Sequence, residues 1–184
     1  MTASNASRDR IQKIYDSHRG LYAPSLVTEA AAFLDDLLDT AEKHGHDRTD
    51  QSQGLSWLVM AAAEATSSKY RSHRNKRTYE EVNQLTRALS TELTKLGLTI
   101  TGARNGVGAE PVAGGPTWGL DGRTGLAVSI YTDGGWDLTV NQQVGAGSVH
   151  SIYAPHTAEG AKEVAAIVHG ILHGEIADPF RRRT

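Results

Sequence analysis

The chain has 184 residues, 39% of them hydrophobic, with 19 Lys and Arg against 21 Asp and Glu and no cysteine. That is apolar material for one sizeable core or two small ones, and no apolar run approaches the roughly 20 residues of a membrane span. The lack of cysteine excludes disulfides, thiolate zinc sites and cysteine nucleophiles, and a net charge of −2 argues against a wholly basic nucleic-acid-binding domain.

From Ser7 to Leu96 apolar residues recur at helical spacing, which predicts four helices. The first carries Ile11, Ile14, Tyr15 and His18 and stops at Gly20. The second opens at Pro24-Ser25, runs through Leu26, Ala30, Leu34, Leu37 and Ala41 to the breaker Gly45, and keeps Asp35, Asp36 and Asp39 on its other face. The third turns Leu55, Leu58, Ala62 and Ala65 inward. The fourth does the same with Val82, Leu85, Leu89 and Leu96, after a Thr78…Glu81 capping box.

After Gly97 the period becomes alternating. Residues 102–125 read as a Gly-rich loop. Leu126, Val128 and Ile130, then Trp136, Leu138 and Val140, predict two strands joined by a tight turn at Asp133-Gly134. A third strand is expected at Val149–Tyr153, and Thr157 is positioned to cap a last helix bearing Ala161, Val164, Ala165, Val168 and Leu172. The fold class is therefore α+β: an N-terminal helical bundle over 1–97, followed over 98–184 by a small antiparallel β-meander covered by a C-terminal helix. The order helix, three strands, helix is similar to that of a double-stranded-RNA-binding domain. That family carries a lysine cluster at the start of its last helix, whereas here only Lys162 stands beside Glu159 and Glu163, and no family is assigned.

The segment "SSKYRSHRNKRTYEEV" concentrates Lys69, Arg71, Arg74, Lys76 and Arg77 within nine positions, with Tyr70, His73 and Tyr79 interleaved. Two readings compete. Cations complement the negative end of the third helix, and the remainder then makes a polar loop before the fourth. A loop does not need five positive charges, however, and such a cluster suits nucleic acid, another polyanion or an acidic protein surface. Arg181 to Arg183 are expected to aid this contact. The polar strand face of Ser129, Tyr131, Asp137, Thr139 and Asn141 is a second expected contact surface, for a protein partner.

Other chemistry is poorly supported. His169 and His173 are four apart on the last helix, but Gly170 stands where a zincin has its catalytic Glu, and neither this pair nor the polar run His44–Asp50 completes a ligand set, so no metal is expected. Gly106-Val107-Gly108 lacks the third glycine of a dinucleotide fingerprint, no P-loop occurs, and no G-x-S-x-G elbow is present. The expectation is a cytoplasmic, non-enzymatic binding or adaptor protein without cofactor, contacting nucleic acid or another polyanion through the basic junction. The alternative is a protein-interaction or assembly component, such as a phage or mobile-element accessory protein, working through helix faces or the polar sheet face. An enzyme without a recognisable motif ranks third.

Overall fold

The computed structural model describes residues 3–18, 20–47, 53–71, 76–103, 106–110, 125–140 and 149–180. In chain order these contain α1 (Asn5–Ser17), β1 (Leu21–Tyr22), α2 (Pro24–Lys43), α3 (Gln53–Arg71), α4 (Tyr79–Lys95), β2 (Thr99–Ala103), β3 (Gly106–Glu110), β4 (Leu126–Ile130), β5 (Trp136–Val140), β6 (Val149–Tyr153) and α5 (Ala158–His173). The class is mixed α+β, with the helices first, a sheet after them and a helix to close.

Helix starts follow local chemistry. Thr78 and Glu81 form the reciprocal capping box of α4, and Thr157 accepts from the Gly160 backbone at the start of α5. Two starts are served from a distance, α1 in addition to its local cap, in which the Ser4 hydroxyl accepts from the Ser7 backbone. Asp35 of α2 accepts from the Ser4 backbone at 2.7 Å, the Ser4 hydroxyl at 2.9 Å and the Ser7 hydroxyl at 2.7 Å, placing a carboxylate at the positive end of α1. Glu163 of α5 does the same for α2, accepting from the Ser25 backbone at 2.8 Å and from its hydroxyl. Asp35 therefore does not share the solvent face expected for it beside Asp36 and Asp39.

The sheet has six strands in the order β1-β6-β5-β4-β3-β2. Strands β2 to β6 form a continuous antiparallel meander, and β1 adds to the β6 edge in parallel, with Leu21 beside Ile152 and Tyr22 beside Tyr153. The expected hairpin is present in the register Ile130↔Trp136 to Leu126↔Val140, but its strands are joined by the five residues 131–135 rather than by a tight turn at Asp133-Gly134: Gly134 does not take a positive φ, and Asp133 bridges to Lys76. Part of the stretch read as loop is instead the β2–β3 hairpin, from Thr99↔Glu110 to Ala103↔Gly106. Gly106 and Gly108 have little intrinsic strand preference, and the flanking β4 supplies the pairing that local propensity lacks. With five strands between α4 and α5, the double-stranded-RNA-binding order does not hold.

Two apolar clusters form. In one, Val128, Trp136, Leu138 and Ile152 pack against Leu85, Leu89 and Leu93 of α4 and Val164, Val168 and Ile171 of α5. In the other, Ile11 and Tyr15 of α1, Leu26, Leu34 and Leu38 of α2, and Leu55, Val59 and Ala62 of α3 enclose a three-helix core. The boundary read at 97/98 falls inside the first cluster, because hydrophobic period reports the type of an element and not its packing partner. The α5 start is tight: a Cβ on Gly160 would lie 1.9 Å from the Pro155 carbonyl oxygen. Gly174, at φ 76°, ends the helix in the left-handed conformation that favours glycine. Among the described residues, no helix is long and apolar enough to cross a membrane.

Candidate functional site

The basic junction lies where the two cores meet, and three of its four described cations, Lys69, Arg71 and Arg77, donate to the protein's own acceptors. Lys69, in the last turn of α3, donates to Glu29 of α2 at 2.7 Å, and the Tyr70 hydroxyl donates to the other Glu29 oxygen at 2.5 Å. The hydrogen bond to Glu29 raises the Lys69 pKa, and burial, reinforced by Glu29, raises that of Tyr70. Arg71 crosses to the sheet, donating to Asp137 at 2.6 Å and the Trp136 carbonyl at 3.2 Å, with its guanidinium 5.9 Å from the Tyr153 ring. Asp137 belongs to the polar sheet face expected to await a partner, so α3 occupies part of that face. Ser129 on it is buried, Tyr131 is exposed, and Asn141 lies outside the described residues.

Arg77 secures the β4–β5 turn. Its backbone N–H donates to Thr132 at 2.7 Å, and its guanidinium donates to the Tyr131 carbonyl at 2.9 Å, to the Gly134 carbonyl and to His156 Nδ1 at 2.7 Å. A guanidinium has no acceptor to offer, so Nδ1 must accept and His156 must be neutral with its proton on Nε2. Nε2 is buried without a hydrogen-bond partner of good geometry. Burial, then the adjacent Arg77 charge, pull the His156 pKa down to about 4, with the Tyr70 backbone carbonyl acting in the opposite direction. Burial likewise lowers the Arg77 pKa.

Lys76 pairs by a backbone bridge with Asp133 and presents an exposed side chain. With Arg77 it lines an open cleft of about 440 Å3, shared with Glu81 and Gln84 of α4 and with His156 and Thr157 at the start of α5. Arg74 and Arg181 to Arg183 lie outside the described residues. Of the five candidate cations, Lys76 and Arg77 thus share a cleft, while Lys69 and Arg71 are paired with carboxylates on different elements.

The remaining histidines are dispersed. His169 and His173 stack at 3.9 Å, and His150 meets Phe180 edge-on at 4.7 Å. Among the described residues no group of three His, Asp or Glu is placed to hold a metal ion.

A second surface was not singled out by sequence pattern. Trp57 of α3 is 69% exposed and Met60, one turn on, is 46% exposed; Ala61 and Ala65 lie exposed beside them. Ala65, expected in the core, faces outward because the buried stripe is Leu55, Val59, Ala62 and Thr66. Met60 also borders a cleft of about 300 Å3 between α1 and α3, whose wall is formed by Tyr15, Tyr22 and Tyr153. These rings stack at 4.0 and 4.7 Å, and burial pushes the Tyr22 hydroxyl pKa up to about 12. The signal was available: "LSWLVMAAAEA" carries more apolar residues than one helix face can hold. No protein-family model, curated protein or solved structure matches the chain.

Proposed function

We propose that this protein is a non-enzymatic binding or adaptor component that works by protein–protein contact through the outward face of α3. One observation carries the reading: the Trp57–Met60 pair stands in solvent beside an aromatic-walled cleft. An exposed Trp and an exposed Met, the Met bordering a tyrosine-walled recess, have the composition of an interface anchor, and covering them would contribute on the order of 2–4 kcal/mol. The basic junction supports this assignment by elimination, since Lys69, Arg71 and Arg77 already serve acceptors within the chain.

The test is purification from the native cell with cross-linking and mass spectrometry, comparing the wild type with Trp57→Glu and Met60→Glu. Proteins retained by the wild type and lost from both variants, with the melting temperature unchanged, are the expected result. Identical sets from all three would remove the α3 face from the function.

A polyanion remains the second reading, favoured by the cleft that Lys76 and Arg77 line at the positive ends of α4 and α5. Nucleic-acid affinity would then fall with salt, and Lys76→Gln would lower the slope by about one unit. Absence of salt-dependent binding at low ionic strength would retire it.

A further inference from the structure

Arg77 is a cation that the chain holds in place without an ion pair. Its Nε and Nη2 donate to the Tyr131 and Gly134 carbonyls and its Nη1 to the neutral ring of His156, so every acceptor it meets is uncharged. Those bonds occupy four of its five N–H groups and leave one, on Nη1, without an acceptor. Glu81 and Asp133 favour its charged form only from beyond hydrogen-bond reach. Lys76 beside it is anchored by the backbone bridge to Asp133, and among the described residues its ammonium has no ion-pair partner.

Both cations open on the cleft of about 440 Å3, a volume in the range of small-molecule sites. Leu85, which is buried, and Ala88, half-buried, give the cleft an apolar side. Thr157 accepts from the Gly160 backbone through its Oγ, which leaves the hydroxyl hydrogen to donate. The one carboxylate in the lining, Glu81, is turned back on the start of its own helix, accepting from the Thr78 backbone at 2.6 Å and the Thr78 hydroxyl at 2.9 Å. Thr78 and Thr157 already cap the two helices that begin here, so recognition falls to side chains and not to helix ends.

We infer that this cleft is a binding site for a terminal phosphate carried on an organic body, with Lys76 and Arg77 toward the dianion and the body against Leu85 and Ala88. The inference rests on the cleft of the polyanion reading above and narrows what enters it. A polymer is held through many phosphates, whereas the nearest described cations along the chain, Lys69 and Arg71, are engaged by Glu29 and Asp137. Two charges in one recess suit a single dianion. A phosphomonoester carries that charge above its second pKa, near about 6, and a carboxylate carries only half of it. Arg77 is already fixed by its internal bonds, so binding does not have to order it.

The source of the phosphate is a free small molecule or the 5′ end of a nucleic acid, and calorimetric titration with four probes separates them: inorganic phosphate, phenyl phosphate, and a single-stranded oligonucleotide with a 5′ phosphate beside its 5′-hydroxyl twin. At low salt and about pH 7.5, phenyl phosphate should bind once per chain with a dissociation constant on the order of 0.1–1 mM. Inorganic phosphate should bind more weakly, because it leaves Leu85 and Ala88 uncovered. Lys76→Gln should weaken phenyl phosphate about tenfold. Glu81→Gln keeps the capping box and should strengthen it about threefold, since the lining loses its negative charge. Both variants should melt as the wild type does. Absence of saturable phenyl phosphate binding up to about 10 mM, wild-type affinity in Lys76→Gln, or weaker binding in Glu81→Gln would overturn the inference. Preference for the 5′-phosphorylated oligonucleotide would support it with a nucleic-acid end as the source. Phenyl phosphate bound and both oligonucleotides ignored would support it with a small molecule as the source and retire the polymer. Equal, salt-dependent binding of the twins without phenyl phosphate binding would leave the polymer reading standing and end this one.

Discussion

The inner face of β5 and the outer face of α3 each carry a tryptophan, and they use it in opposite ways. Trp136 is wholly buried, its indole N–H directed at the Pro155 carbonyl at 3.3 Å, beneath α5. Trp57 stands mostly in water on a helix whose other side already fills the second core. An apolar residue therefore identifies an interior only where its own element has a single apolar face. Where the element has two, the surplus face is evidence about partners.

The sharpest way to break this contrast is to remove apolar volume from the buried side. Leu138→Ala should destabilise the protein by about 2–5 kcal/mol in a urea titration, since Leu138 is fully buried between the sheet and its helices. A loss of a few tenths would mean that β5 does not belong to the core.

Overpacking probes the same side from the opposite direction. Gly160→Ala forces a methyl against the Pro155 carbonyl, a backbone group that cannot swing aside, and should cost about 1–3 kcal/mol in thermal unfolding. Stability equal to the wild type would show that the α5 start tolerates a shift.

His156 lies at the joint between the two regions and should make stability depend on pH. Its folded pKa, about 4, lies below the ordinary value of 6.5, so the fold favours the neutral ring. The contribution is present in full above pH 6.5 and is lost as the pH falls toward 4, amounting to about 1–2 kcal/mol after allowance for solvent screening at this partly exposed site. His156→Asn keeps an acceptor for Arg77 and cannot gain the proton. Urea midpoints measured between pH 7 and 4 should slope less for this variant; matching slopes would place the titration elsewhere.

The smallest expected effect is on the outer side. Trp57→Ala should change the monomer's stability by no more than about 0.5 kcal/mol, because it leaves no cavity in the folded chain. A loss comparable to that of Leu138→Ala would make Trp57 part of the core and end the comparison.

Much of this architecture was legible in the residues. The Thr78–Glu81 box, the Thr157 cap, the β4–β5 hairpin and the alternation of β5 each depend on chemistry within a few positions, and all are present; β4, by contrast, is buried on both faces. What failed were readings that needed distant information. Asp35 looked like solvated charge because its partners, Ser4 and Ser7, are about thirty positions away. β3 looked like loop because β4 makes it a strand. The basic junction was visible as a cluster, but charge spacing could not show that Arg71 reaches Asp137 or that Arg77 reaches His156. That hidden wiring bears on experiments: replacing Arg71, Arg74 and Arg77 together would remove internal ties along with any anion contact, so Lys76 is the cleaner probe.

The two residues of β1 carry a kinetic consequence. They come from near the start of the chain and lie on the free side of β6, which the chain makes close to its other end. That pairing joins residues about 130 positions apart, a closure that raises the contact order and so slows folding. Until β1 docks, β6 presents open backbone donors and acceptors, the template on which strands of neighbouring molecules add. β1 thus covers the Ile152–Tyr153 end of the β6 edge, and a change that undocks it would lengthen the open edge on which strands of neighbouring molecules can add.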